Sequence, residues 1–242
     1  FQMVKCLNVM SGSKYKELYT SLEQINDHIK QIASERKVEL APASVVPYSG
    51  ISLKDADWAG GKNANLGEIR NCLHIPVPQG FAITTQAFHT FFEFNDLKEA
   101  IIRQKNLIYV NELDLLNSLS AETIDLIKSK PLPPELEQEI RDACTALWGD
   151  DHTILLAMRS SAVGEDGDLS YAGQYLTLLG ETRSTLTEAY KAIISSLYSA
   201  RSISYRSSKG VFDEDLAMAV ACLKMVDSQS SGVLYTRHPY DI

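Results

Sequence analysis

The strongest constraint on the fold is a pair of short, unbroken apolar runs, Ile154–Met158 and Leu216–Leu223, each bounded by polar residues. Runs this short predict buried strands rather than helices. Neither approaches the ~20 apolar residues that a membrane-spanning helix requires. Arg159-Ser160-Ser161 is expected to end the first strand, and the second is expected to run on to Met225. Further strands are predicted at Phe81–Ile83, Leu176–Leu179 and Gly232–Thr236. Between them the pattern changes to helical spacing. One helix opens after Gly60-Gly61 and continues through Lys62–Arg70. Another follows Thr84 or Thr85 as its cap and carries Phe88, Phe91 and Phe92 on one face. Residues 96–148 read as helical, ending in a segment with Pro134 at its first position and Gly149 as its stop. Ser184 is placed to cap one long helix reaching Arg201. Strands and helices intermix, which predicts an α+β (mixed α/β) fold rather than a bundle.

Ahead of this body, Leu18, Leu22, Ile25, Ile29 and Ile32 repeat at alternating spacings of four and three, so residues 15–37 carry one apolar helical stripe. It lasts only about two heptads, short of a secure coiled coil. Packing against the chain's own body is the favoured expectation, and self-association through residues 18–32 is the alternative. The segment Leu40–Gly50, with two prolines and a glycine, reads as a connector. The chain is therefore divided into an N-terminal helical extension, 1–45, and a body, 46–242, with a helical insert at about 96–149.

Charge removes several function classes. Across 242 residues, 23 Lys and Arg face 31 Asp and Glu, a net charge of −8, which disfavours nucleic acid and anionic membrane as partners. Cys6, Cys72, Cys144 and Cys222 are scattered, without zinc-site or disulfide-framework spacing. No secretion-signal pattern follows Phe1, and a cytoplasmic location is expected of what reads as an excised piece.

Several residues could carry chemistry. Gly60-Gly61-Lys62 opens a predicted helix, where exposed amides, the helix dipole and a lysine favour an anion. The pattern is not a Walker loop, and on the pattern alone a plain turn with a solvated lysine is the favoured reading. Arg159 follows an apolar strand, and its guanidinium offers a rigid fork for phosphate oxygens; an ion pair with Glu165 or Asp166 is the alternative. Gly164, Gly167 and Gly173 would allow a flap over a polyphosphate. Glu165, Asp166 and Asp168 are hard oxygen ligands of the kind Mg²⁺ takes, although an acidic loop is more often only solvated. His28, His74, His89, His152 and His238 are isolated, with no triad pattern.

Three blocks in order carry a family resemblance: Gly60–Glu68 continued by Ile75–Thr85; Met158–Ala162 with Glu165-Asp166 and Ser170–Gln174; and Lys224–Val226 with Ser231–Pro239. Over about residues 50–240 they resemble the ATP-binding domain of phosphoenolpyruvate synthase and pyruvate phosphate dikinase. The resemblance implies an ATP-grasp-like domain that holds Mg-ATP. It also implies phosphoryl transfer to a histidine on a separate domain of the same longer polypeptide, and from there to pyruvate bound in another. By motif, Lys62 and Arg159 would hold ATP phosphates, with Arg159 as the catalytic residue, and Ser170, Gly173 and Gln174 would lie over them. Lys224, Met225 and Val226 would border the adenine, and Thr236 and Arg237 would face the phosphates. The family's metal ligands and phosphoacceptor histidine are expected outside this chain, so no metal ligand is assigned within it.

Two positions depart from the family pattern. Asn63 stands where the family has glycine, and Leu223 where it has glutamine; the loop Glu165–Ser170 also differs from the family's usual Pro-containing version. A backbone contact to adenine survives Leu223, whereas a side-chain contact does not. Related modules act on other acceptors, rifampin or glucan, and a noncatalytic nucleotide-sensing or interaction module is the alternative from a different class.

Overall fold

The computed structural model describes residues 2–35, 41–106, 113–163, 175–209 and 216–234, and they fall in two compact units, Phe1–Glu39 and Leu40–Ile242. The first unit contains two helices, α1 (Gln2–Met10) and α2 (Glu17–Glu35), joined by a short turn. Its turn uses left-handed backbone at Gly12 and Ser13, and the Asn8 side chain closes it. The Asn8 amide nitrogen donates to the carbonyls of Val4 and Tyr15, while its oxygen accepts from the Tyr15 N–H. On α2, Leu18, Ile25 and Ile29 are exposed.

The second unit is built on one five-stranded antiparallel sheet among the described residues, in the order β1-β2-β5-β3-β4. The strands are β1 (Val45–Pro47), β2 (Gly80–Ile83), β3 (Leu156–Ala162), β4 (Thr177–Glu181) and β5 (Met218–Lys224). The helices are α3 (Ala56–Ala59), α4 (Gly61–Asn71), α5 (Thr85–Phe94), α6 (Leu97–Asn106), α7 (Leu113–Ser129), α8 (Pro134–Trp148), α9 (Leu186–Ser195) and α10 (Ala200–Lys209). This is the mixed α/β architecture expected from the sequence, consistent with an ATP-grasp-like domain. Among the described residues, no helix is long and apolar enough to cross a membrane.

Strand alternation sorts the side chains onto two faces. Phe81 and Ile83, Leu156 and Met158, and Met218, Val220 and Cys222 all join one large core. That core is completed by residues repeating at helical spacing: Phe88 and Phe91 of α5, Leu136, Ile140 and Cys144 of α8, and Tyr190, Ile193 and Ile194 of α9. Ala82, Ala221 and Leu223 face the other way and, with Val46, Tyr48, Ile51, Trp58 and Ala59, form a smaller core beneath α3 and α4.

Three cationic side chains answer the carbonyls left open where helices stop. Lys191 Nζ donates to the carbonyls of Lys128, 2.9 Å, in the last turn of α7, and Lys130, 3.2 Å, just past its end. Arg183 donates to the carbonyls of Cys144, 3.2 Å, and Gly149 at the end of α8. The buried Arg206 donates to the Leu197 carbonyl.

Several sequence expectations need correction. β3 does not end at Arg159-Ser160-Ser161 but runs through them, because β5 supplies ladder partners as far as Ala162. The connector contains a strand, β1, which the Pro-rich composition hid and pairing with β2 stabilises. The long helix after Ser184 is broken: α9 stops at Ser195, a 3-10 turn spans Ser196–Tyr198, and Ser199 is extended before α10. Residues 232–234, the described part of the strand expected over 232–236, are not in a strand. The Thr84 hydroxyl does not cap α5 but donates to the Ala43 carbonyl, 2.8 Å, across to the segment leading into β1.

Candidate functional site

The site begins where α4 meets the small-residue face of the sheet. Gly60, the N-cap of α4, has φ +76° and sits so close to β3 that a Cβ there would lie 2.1 Å from the Ser161 carbonyl oxygen. A side chain would therefore be blocked twice, by backbone conformation and by contact. The close approach also depends on what β3 presents, a serine rather than a branched apolar residue.

Three hydrogen bonds fasten the first turn of α4. The Asn63 N–H donates to Ser161 Oγ, 3.2 Å, and the Asn63 amide nitrogen donates to the Ala59 carbonyl, 2.7 Å. The Tyr48 hydroxyl donates to Asn63 Oδ1, 2.6 Å. Farther along α4, the Asn71 amide nitrogen reaches the carbonyls of Tyr48 and Ile51, both at 2.8 Å. Burial pushes the Tyr48 hydroxyl far above the ordinary phenol range, while the Arg159 charge pulls it in the opposite direction.

Lys62 follows directly on this helix start. Its ammonium donates to the carbonyl of Ser160, 3.2 Å, the residue after Arg159. This bond fixes the direction of the Lys62 side chain relative to β3. Arg159 itself is exposed on β3, paired in register with Ala221 on one side and Thr177 on the other. Of the two cations expected from the sequence, Arg159 thus sits on β3 and Lys62, from α4, bonds to the carbonyl of the next β3 residue. Because the Asn63 amide is engaged by Ser161, the helix start can offer at most two of its first three N–H groups, those of Gly61 and Lys62, to an anion.

Lys224, Met225 and Val226 lie at the far end of β5, three residues beyond the Arg159 pairing position and so roughly 10 Å along the strand. The Lys224 N–H donates to the Gln79 carbonyl, 2.8 Å, and the Met225 N–H to the Leu155 carbonyl, 2.9 Å. The Gly180 N–H donates to Met225 Sδ, 3.1 Å. Val226, past this clamp, is exposed. The Lys224 charge also helps hold the Asp151 carboxyl below its usual range, behind the larger effect of hydrogen bonds from Thr153.

Ser170, Gly173, Gln174, Thr236 and Arg237 lie outside the described residues, as do Glu165, Asp166 and Asp168. Among the described residues, no group of three or more His, Cys, Asp or Glu side chains could hold a metal ion. A hollow of about 370 Å³ lined by Phe88, His89, Phe92, Glu93 and Tyr198 belongs to the opposite, helix-covered side of the sheet and shares no residue with the Lys62–Arg159 constellation.

The two departures from the expected motif take structural roles. Asn63 is fully buried and points into the small core, and Leu223 is buried in the same core. Sequence reading missed Tyr48 and the hydroxyl of Ser161 as parts of the site. A tyrosine inside a Pro/Gly connector gives no periodic signal, and Ser161 reads from the sequence as part of a strand end.

The chain matches the family model for the pyruvate phosphate dikinase AMP/ATP-binding domain over residues 56–242. It is 37% identical over 203 residues to a probable phosphoenolpyruvate synthase of Staphylothermus marinus, covering 81% of this chain and 24% of that protein. The phosphoenolpyruvate synthase of Escherichia coli is 35% identical over 199 residues, covering 79% of this chain and 25% of its own length. That of Aquifex aeolicus is 34% identical over 210 residues, with 82% and 24% covered. The chain spans about a quarter of the length of these relatives.

Proposed function

The chain belongs to the pyruvate phosphate dikinase AMP/ATP-binding domain family, and from that membership we propose that it is the ATP-binding portion of a phosphoenolpyruvate synthase or dikinase-like phosphotransferase. In this reading phosphoryl passes from Mg-ATP to a histidine on a separate domain of a longer polypeptide, and from there to pyruvate. Lys62 and Arg159 hold the ATP phosphates, and Arg159 offsets charge on the group in transfer. Ser170, Gly173 and Gln174 cover the phosphates, Thr236 and Arg237 face them, and Lys224–Val226 borders the adenine. Mg²⁺ accompanies the nucleotide, with its protein ligands outside this chain.

The observation that supports the reading is the anchoring of Lys62, in the first turn of α4, to the carbonyl of Ser160, the residue that follows the exposed Arg159. Phosphoryl transfer depends on positioning and on neutralising charge spread over oxygens, and two cations on rigid elements supply both. With the Lys224 and Met225 amides engaged by Gln79 and Leu155, an adenine at that strand end would meet carbonyl oxygens, side chains or the Val226 amide.

Titration calorimetry with Mg-ATP tests the assignment. Lys62→Ala and Arg159→Ala should each weaken binding by about 1–3 kcal/mol, the range of charge-assisted hydrogen bonds. Affinity indifferent to both substitutions rejects it.

A further inference from the structure

We propose that Tyr48, Asn63 and Ser161 form a positioning set that fixes the direction in which α4 presents Lys62 toward Arg159. The inference rests on the phosphate-binding reading of those two cations and extends it to three residues that need not touch the nucleotide.

Asn63 is fully buried in a small, mainly apolar core, where a primary amide is costly unless its donors and acceptor are matched. Each of its bonds runs to a different part of the fold. Its oxygen accepts from Tyr48 in the turn after β1, its side-chain nitrogen donates to Ala59 in α3, and its backbone N–H donates to Ser161 in β3. Apolar packing alone would hold α4 on the sheet but leave its rotation about its own axis loosely determined. Three directional bonds at one residue determine it.

Successive residues of an α-helix are rotated by about 100°. Pinning Asn63 inward therefore sets the azimuth of Lys62, the preceding residue, and its ammonium meets the Ser160 carbonyl. The set also borders the second cation. Ser161 lies two residues from Arg159, and alternation puts both on the same face of β3, while the Tyr48 hydroxyl lies within reach of the Arg159 field. Glycine at position 63 would leave the Tyr48 hydroxyl and the Ala59 carbonyl without these partners and free the helix start to turn.

A double-mutant cycle in the full chain, read by Mg-ATP titration, tests the proposal, because a residue acting through Lys62 should lose its effect once the ammonium is gone. Tyr48→Phe keeps the ring and removes only the hydroxyl. It should lower Mg-ATP affinity about three- to tenfold, the scale of one buried hydrogen bond. In a Lys62→Ala background the same substitution should change affinity less than twofold. Asn63→Gly should behave alike, and if it does not fold, Tyr48→Phe carries the test by itself.

An equal loss of affinity in both backgrounds overturns the proposal, since it marks general loosening of the domain. No loss from Tyr48→Phe, where Lys62→Ala weakens binding, also overturns it and leaves the phosphate reading standing. Should Lys62→Ala itself leave ATP affinity unchanged, the phosphate reading fails and this inference fails with it.

Discussion

The two faces of the sheet are lined by different sizes of side chain, and that difference separates stability from chemistry. Toward α5, α8 and α9 the strands turn Phe81, Ile83, Leu156, Met158, Met218, Val220 and Cys222, which interlock with aromatic and branched side chains. On the opposite side the central strands carry Ala82, Ala157, Arg159, Ser161, Ala219 and Ala221, with Leu223 at the far end of β5 as the large apolar residue among them. Large residues keep a helix at a distance and exclude water. Small ones let a helix end come down onto the backbone, so that Gly60 abuts the Ser161 carbonyl and Lys62 can reach that of Ser160. The chemistry of this domain is thus expected on the face that contributes less apolar burial.

The largest effect expected on this contrast comes from Phe81→Ala. Phe81 is fully buried, with its ring centroid 6.0 Å from that of Trp148, and truncation should cost about 3–5 kcal/mol in urea denaturation. A loss below about 1 kcal/mol would mean that the helix-covered face is not the main source of stability.

Gly60→Ala attacks the other face. With φ +76° and a Cβ 2.1 Å from the Ser161 oxygen, it should cost about 2–4 kcal/mol and weaken Mg-ATP binding as α4 lifts from β3. A stable variant with unchanged ATP affinity would show that the close approach is not what seats Lys62.

A smaller effect appears at alkaline pH. Burial pushes the Cys144 thiol, between α8 and the sheet, up to about 11 from 9.0. Because the folded value is the higher one, the stability linked to this thiol is intact below about pH 9 and is lost as pH rises toward 11, a change on the order of 2 kcal/mol. Denaturation midpoints measured from pH 8 to 11 should fall less steeply in Cys144→Ala than in the parent chain. Equal slopes would show that the thiol does not titrate differently in the folded and unfolded states.

Much of the helix-covered face could be read before any fold was known. Leu136, Ile140 and Cys144 recur every four residues, Pro134 and Gly149 bracket them, and the helix forms as expected with Gly149 at φ +58°. The apolar run from Leu216 likewise yields the central strand β5. The small-residue face was less legible because its signals are local and polar. Ser160 and Ser161 look like a strand end, yet β5 on one side keeps them in register. Val45–Pro47 looks like a connector until β2 lies beside it. The helical pattern after Leu186 reads as continuous, but Ser199 is extended, and the Arg206 side chain returns to the Leu197 carbonyl. Periodicity reports which face of a segment is apolar and says little about where the segment must break.

The sequence by itself determined which runs are apolar, where helices can start and stop, and the family to which the chain belongs, and it singled out the two cations proposed to hold phosphate. Those properties are local: spacing, capping chemistry and side-chain charge are carried by neighbouring residues. Only the tertiary structure decided that Lys62 of α4 bonds to the carbonyl of Ser160, 98 positions on and next to Arg159 in β3, and that Asn63 turns inward to Tyr48. The reason is that orientation about a helix axis and approach to a sheet are fixed by partners distant in sequence, here the hydroxyls of Tyr48 and Ser161 and the missing side chain of Gly60.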